Sequence, residues 1–232
     1  MKRICFAFFA LFFSVSFLFA QNQFKGSVIA SNREDLLSKL PSEISYFMPE
    51  FTLSQIFYKN GTKFMALLNI CVVDNSVRYI NESGDTLLMA NASDVNRIFA
   101  QGSVYKQING HFFQELVAFG QTSLCEKRSF SLKEPEISIG FANIAPTSTA
   151  KSYNPEHEDL ARDYGKDMEI DYTMEIDYVL SHKDKIYPCK QSAFIKFFPE
   201  KKQQIKDFVK INKIDFSNRD HVLSLFYMCT EK

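Results

Sequence analysis

The sequence predicts a mainly β protein of the α+β class, an antiparallel β meander or sheet followed by a C-terminal α-helical pair. Three observations lead to this prediction. Short strand-forming segments alternate with turn signals over residues 51–132, an apolar/acidic alternation follows near residue 170, and the apolar spacing becomes helical after about residue 190. An antiparallel arrangement is favoured because the connections are too short for the crossovers that parallel strands need.

The composition is that of a folded protein without a general affinity for nucleic acid. The chain has 232 residues, is 46% hydrophobic and carries 27 basic and 27 acidic residues. It is therefore too apolar and too balanced in charge for a disordered chain. It also lacks the excess positive charge that displaces counterions from nucleic acid, so we expect no nucleic-acid partner.

The first twenty residues have the pattern of a secretory signal peptide. Lys2 and Arg3 form a positive start, residues 4–19 are almost entirely apolar, and Ala20 offers a small residue at the cleavage position. A retained membrane anchor is the competing interpretation, because this apolar run approaches the roughly 20 residues that span a bilayer. Cleavage is favoured because no basic cluster follows. We predict a signal peptide over 1–20, no membrane span after cleavage, and a mature protein in the periplasm or at the extracellular or outer-membrane surface of the cell envelope of a bacterium.

The mature chain is predicted to form a β-rich body over 21–190 and a C-terminal helical module over 191–232 that packs on the body. A polar segment near 142–166, interrupted by Pro146 and Pro155, is predicted to be an exposed loop. Binding loops and plain mobile loops share this composition, so the segment alone assigns no function.

The body begins with a predicted helix at 32–40, with Asn32 as its N-cap and Pro41 directly after it. Asn60-Gly61 and Asn109-Gly110 are strong hairpin signals, because both central residues of such a turn take positive φ. Strands are predicted at 51–58, 63–73, 77–80, 86–89, 95–100, 103–108, 111–119 and 123–132.

Residues 167–180 form the most regular pattern, in which Met-Glu-Ile-Asp-Tyr occurs twice, six residues apart. Because the side chains of a strand alternate between faces, this pattern predicts a long strand with one apolar and one acidic face. The acidic face would be either solvated, also protecting a sheet edge from other chains, or a cation surface. We favour the solvated face and assign no catalytic, cofactor-binding or metal residue. The weak metal candidates are Asp167, Glu169, Asp171, Glu175, Asp177 and, in the polar loop, His157.

Four cysteines follow the signal peptide: Cys71, Cys125, Cys189 and Cys229. Their wide spacing matches no zinc pattern, which needs close pairs. Cys71 lies in an apolar segment and is predicted to be a small buried residue. An exported chain permits disulfides, and if any pair forms, Cys189 with Cys229 would join the C-terminal helices to the preceding strand.

The C-terminal module begins with the apolar segment 192–198, and a helix follows Pro199. Ile205, Phe208, Val209 and Ile211 are predicted to form the buried stripe of that helix. A last helix is predicted after the cap-like segment 217–220, with Val222, Leu223, Leu225 and Phe226 buried.

Several of these segments resemble a group of uncharacterised exported proteins of Gram-negative bacteria. The likeness covers most of residues 51–230 and implies a β-rich body, a C-terminal helical module and export, with no assigned activity. Its motifs are 68–70, 84–87, Asp94-Val95 before Ile98, 147–150, 186–188, 194–202, Ile205, Phe208, 215–217 and Leu223.

The sequence contains no nucleophile elbow, zinc-protease motif or phosphate loop. We therefore expect an exported, non-enzymatic binding or envelope-interaction module without a cofactor, whose partner is an envelope protein or a glycan. The alternative is a secreted hydrolase or glycan-acting enzyme with a site assembled from distant carboxylates. A deep pocket with paired carboxylates would favour the enzyme, whereas a shallow apolar patch or an open sheet edge would favour the binding module.

Overall fold

The computed structural model describes residues 22–133 and 167–231. The predicted signal peptide at 1–20, the predicted loop at 142–166 and His157 lie outside these residues. The described strands are β1 (Gln23–Ala30), β2 (Thr52–Tyr58), β3 (Lys63–Ile70), β4 (Val77–Ile80), β5 (Thr86–Leu88), β6 (Val95–Ala100), β7 (Ser103–Ile108), β8 (His111–Phe119), β9 (Thr122–Lys133), β10 (Met168–His182) and β11 (Lys185–Pro188). The described α-helices are α1 (Arg33–Lys39), α2 (Ser42–Ser45), α3 (Gln191–Phe197), α4 (Lys202–Ile211) and α5 (Arg219–Thr230).

All these strands join one antiparallel sheet, which confirms the mainly β class with C-terminal helices. The sheet order is β1-β10-β9-β8-β7-β6-β2-β3-β4-β5, with β11 also paired to β10. It consists of two meanders, β2–β5 and β6–β10, which meet because β2 lies beside β6. In a simple meander, β5 rather than β2 would lie beside β6.

The two Asn-Gly hairpins differ in their turns. Asn109 and Gly110 have φ values of 52° and 79°, as predicted. At the β2–β3 turn only Gly61 has positive φ, at 86°, and Tyr58 N–H donates to the Thr62 carbonyl. The hairpin is therefore confirmed, but its predicted turn type is wrong. A longer loop that ends in a left-handed glycine replaces the two-residue turn.

The predicted long strand is β10, and its two faces separate as expected. Ile170 and Met174 are buried in the core, whereas Glu169, Asp171 and Glu175 are exposed. The prediction that this acidic face protects a sheet edge is wrong, because β10 is an interior strand. Its neighbours are β9 on one side and β1 and β11 on the other.

We call the side of the sheet that carries the buried Ile56, Leu68 and Ile98 the inner face, and the opposite side the outer face. The described helices and the two larger apolar cores lie on the inner face, whereas a smaller buried cluster of Ile108, Phe113, Cys125 and Val179 lies on the outer face of β7–β10. Asn32 caps the start of α1, and its Oδ1 accepts a hydrogen bond from Asp35 N–H at 3.0 Å, as its predicted N-cap role requires. Leu36 of this helix is packed into the same core as the inner-face strand residues.

A second core lies under the C-terminal helices, on the inner face of β8–β10. Leu124 and Leu180 of the sheet pack there with Phe194 of α3, Ile205 of α4 and Phe226 of α5. The helices are therefore anchored to the sheet by apolar burial.

The predicted cap of α5 is confirmed, whereas one residue departs from the predicted buried stripe of α4. Asn218 caps α5 by accepting from the backbone N–H groups of Asp220 and His221. Ile211 does not join the predicted stripe of α4. It is the last residue of that helix and is 76% exposed.

A polar row separates the two cores on the inner face. Glu126 stands opposite Gln114 on β8 and opposite Tyr178 on β10, and Arg128 Nε donates to Glu126 Oε1 at 2.9 Å. Burial, and then the charge of Glu126, raise the pKa of Tyr178 to about 12. Glu126 and Arg128 thus form a largely buried ion pair between the two apolar cores.

Candidate binding surface

Large apolar side chains are exposed together on the outer face of β2–β6. We call them the outer apolar face: Leu53, Met65, Leu67, Leu88 and Phe99, with the half-buried Phe57 and Ile80. Strand pairing brings them together, because Leu53 is opposite Leu67, Leu67 is opposite Ile80, and Met65 and Phe99 flank Gln55. Leu53 is 63% exposed and Phe99 is 38% exposed. Exposed apolar side chains grouped on one face in this way mark interaction sites in proteins.

The sequence of β3 explains why both of its faces are apolar. Residues 64–68 are Phe-Met-Ala-Leu-Leu, so the alternation with polar residues that is typical of a half-solvated strand is missing. Leu68 enters the core on the inner face, whereas Met65 and Leu67 point away from it. The sequence predicts the strand but not its exposed surface, because an apolar run does not show whether one face of the strand or both faces are covered.

Two cations lie at one end of the outer apolar face. Lys63 Nζ and the Arg97 guanidinium each lie 5.1 Å from the centroid of the Phe57 ring, and Arg97 is also 5.4 Å from the Phe99 ring. Phe57 and Phe99 contact each other edge to face, with ring centroids 5.3 Å apart. Neither cation forms a salt bridge with a carboxylate within residues 22–133 and 167–231. The surface therefore combines aromatic rings with uncompensated positive charge.

A polar triad follows on the outer face of β7–β9. Lys106 Nζ donates to Ser123 Oγ at 3.0 Å and forms an ion pair with Glu115, and Ser123 Oγ donates to Glu115 Oε2 at 2.6 Å. A lysine can activate a serine only if it accepts the hydroxyl proton. Here the ion-paired ammonium donates instead, and Ser123 is 4% exposed. The triad is consistent with a structural network and gives no support for a serine nucleophile.

The acidic candidates lie along the outer face of β10 or just before it, and their neighbours belong to the protein. Glu169 accepts from Ser27 Oγ at 2.8 Å, and Glu175 accepts from Gln23 Nε2 at 2.5 Å. Asp177 stands opposite Lys127 and Asp171 opposite Lys133 in the β9–β10 register. Asp167 is exposed before the strand begins. No group of three or more histidine, cysteine or carboxylate side chains in the described residues could hold a metal ion.

The four cysteines are buried free thiols. Burial raises the pKa of each thiol to about 12, which suppresses the thiolate that nucleophilic or metal chemistry needs. The prediction that Cys71 is buried is confirmed. The suggested bridge between Cys189 and Cys229 is not formed; instead both thiols pack in the apolar core beneath the C-terminal helices.

His182 and His221 make contacts that hold secondary-structure elements together. His182 Nδ1 is 2.9 Å from Thr122 Oγ1, and its ring stacks on Phe197 with centroids 4.9 Å apart. His221 Nδ1 accepts from the Asp215 backbone N–H at 3.1 Å. These contacts hold α3 and the start of α5 in place.

Comparisons of the chain with protein-family models, curated proteins and solved structures found no match. The resemblance to exported proteins of Gram-negative bacteria therefore stays a prediction. Within the described part of the chain, no helix is both long and apolar enough to cross a membrane.

Proposed function

We propose that this chain is an exported, non-enzymatic binding module that uses the outer apolar face to dock an envelope protein. Exposure of five large apolar side chains on adjacent strands is the observation that carries the proposal. The predicted signal peptide at 1–20 supports a location in the periplasm or at the cell surface.

Burial of this face would supply the main driving force for docking. Complete burial of a Leu, Met or Phe side chain contributes about 1.5–3 kcal/mol, so a half-exposed side chain contributes roughly half of that. Leu53 and Leu88, at 63% and 58% exposure, are the most exposed side chains of this face and have the most to gain from a partner. The inner face of β2–β6 is already covered by the core, which leaves the outer face of these strands for a second protein.

The charge at one end of the face indicates the chemistry of the partner. Lys63 and Arg97 flank the Phe57 ring, and neither has a carboxylate partner within the described residues. A partner surface with an apolar strip and adjacent carboxylates would cover the rings and pair with both cations. Such complementarity favours the correct partner and its orientation more than it adds affinity.

The proposal is tested by mild cross-linking and pull-down from the native cell envelope with the tagged mature chain. We expect one stoichiometric protein partner for the wild type and its loss for Leu53→Glu with Leu67→Glu, because both substitutions place a charge in the apolar contact. Ile211→Glu is the matched control, since Ile211 is 76% exposed on α4, outside the outer apolar face.

Unchanged capture by the double variant would overturn the assignment of this face, and so would equal loss with the Ile211 control. Far-UV circular dichroism and thermal melting verify that each variant is folded. All three substituted side chains are exposed, so we expect native spectra.

A further inference from the structure

A shallow depression of about 370 Å³ lies beside the β2–β3 hairpin. It is formed where the hairpin, with Asn60, Thr62 and Phe64, meets the turn that carries Asn91 and Asp94. Its volume is within the range of small-ligand sites, about 300–1,000 Å³.

Hydrogen bonds between its two loops preform the depression. Lys59 N–H donates to the Asp94 carbonyl at 2.8 Å, and Lys59 Nζ donates to the Ser93 carbonyl at 2.7 Å. On the other side of the turn, Gln107 Nε2 donates to the Ala92 carbonyl at 2.8 Å. A loop pair fixed in this way loses little conformational freedom when a ligand binds.

The hairpin side is fixed as well. Asn60 Oδ1 accepts hydrogen bonds from Thr62 N–H at 2.9 Å and from Thr62 Oγ1 at 2.7 Å. These two bonds hold the orientation of the Asn60 amide and leave its NH₂ group without a hydrogen bond from the described residues.

The walls combine an aromatic platform with free hydrogen-bonding groups. Phe64 is 55% exposed, although the side chain of Ile56, its partner on β2, is fully buried. The Asn91 amide and the Asp94 carboxylate, like the Asn60 NH₂ group, form no hydrogen bond to another described side chain or backbone group. Donors and acceptors thus face the same depression as an exposed ring.

We propose that this depression binds one pyranose unit of a neutral or N-acetylated oligosaccharide. The C–H groups on one face of a pyranose form an apolar surface that packs on an aromatic ring, which suits the exposed Phe64. Amides and a carboxylate can each bind the hydroxyl groups at the rim of the sugar, and Asn60, Asn91 and Asp94 provide these groups. The depression is open, so it would bind one unit of a longer chain.

This inference goes beyond the proposed function and does not depend on it. The pyranose contacts are assigned to the hairpin and the 91–94 turn, whereas protein docking is assigned to the outer apolar face. Lys63 borders both regions and is therefore left unchanged in the test.

The test titrates the mature chain with the tetrasaccharides of N-acetylglucosamine, β-1,4-glucose and α-1,4-glucose, each to about 10 mM. We expect at least one of them to bind, with amide NMR shifts confined to residues 58–64 and 91–94. Phe64→Ala and Asp94→Asn are each expected to weaken that binding by about tenfold or more. Phe119→Ala is the matched control, because Phe119 is an exposed aromatic residue, at 50%, that does not line the depression.

Absence of binding by all three tetrasaccharides would overturn the inference. Shifts outside the two loops, or unchanged binding by Phe64→Ala, would overturn it too. Native circular dichroism of the variants verifies that a loss is local. The docking proposal is tested separately by partner capture. It stands, whatever the saccharide result, if capture is lost in Leu53→Glu with Leu67→Glu but is unchanged in Phe64→Ala.

Discussion

The Arg97 guanidinium lies over the Phe57 ring at 5.1 Å from its centroid, on the exposed side of the sheet. Lys63 Nζ lies at the same distance from that ring, so one aromatic side chain holds two cations at the end of the outer apolar face. An aromatic ring has no net charge, so the positive charge of each cation is not neutralised and can attract a carboxylate of a partner.

Charge reversal at these two cations should slow association with the docked protein. For Lys63→Glu with Arg97→Glu we expect a lower association rate and an inverted salt dependence, because the variant would repel the carboxylates of the partner. Stopped-flow or surface plasmon resonance kinetics at two salt concentrations measure both. Lys202→Glu with Lys206→Glu on α4 is the control of equal charge change, and an equal effect there would show that only net charge matters.

Gly26 is required by the close approach of Tyr172, its direct partner across β1 and β10. A Cβ at Gly26 would lie 2.5 Å from the Tyr172 hydroxyl oxygen and 2.7 Å from Cζ. The Tyr172 ring also stacks on Phe130, with centroids 5.9 Å apart, so it cannot move freely. We expect Gly26→Ala to lower the free energy of unfolding by about 1–3 kcal/mol.

Urea unfolding followed by circular dichroism measures this loss. In a Tyr172→Ala background the same substitution should be neutral or stabilising, because alanine favours a strand over glycine once the clash is gone. An equal loss in both backgrounds would contradict the explanation.

The pair of Glu126 and Arg128 should contribute far more to stability than a surface pair. Their side chains are 8% and 18% exposed, and Arg128 also donates to the Tyr46 carbonyl at 3.2 Å. Arg128→Met would leave a buried carboxylate without its cation, so we expect a loss of about 2–4 kcal/mol. Urea unfolding measures it.

The control for this prediction is Lys39→Met, which breaks the exposed pair with Asp35 and should cost less than about 1 kcal/mol. Glu126→Leu with Arg128→Met should restore part of the loss, because it removes the unpaired charge. Similar losses for Arg128→Met and Lys39→Met would contradict the burial argument.

The cysteines should be unreactive thiols in the native protein. Each is buried, and burial raises its pKa to about 12, so at pH 8 the thiolate is scarce and protected. We expect no reaction of Cys71, Cys125, Cys189 and Cys229 with Ellman's reagent until the mature chain is unfolded, when all four should react. Two missing thiols after unfolding would indicate a disulfide and contradict this description.

The sequence was most informative where local patterns decide the structure. The hairpin β7–β8 was predicted with the observed bounds, because Asn109-Gly110 separates two clear strand segments. β10 was recognisable from its alternation. These features depend on side-chain period and turn chemistry, which a sequence displays directly.

Features decided by distant pairing were missed. β1 was not predicted, because glycine at position 26 weakens its strand pattern and β10, its partner, is far along the chain. The outer apolar face was missed for the same reason. Leu53 and Leu67 are apolar in sequence like any core residue, and only the sheet order and the placement of the helices reveal that nothing described covers them.

Site-specific photo-cross-linking in intact cells tests the central claim most directly. A photoreactive amino acid at position 67 of the full chain is expected to cross-link one envelope protein in good yield, whereas the same probe at the exposed position 211 should not. The yield of this cross-link should fall when Lys63→Glu and Arg97→Glu are added. Equal cross-linking from both positions, or none from position 67, would contradict the assignment of the outer apolar face as a docking surface.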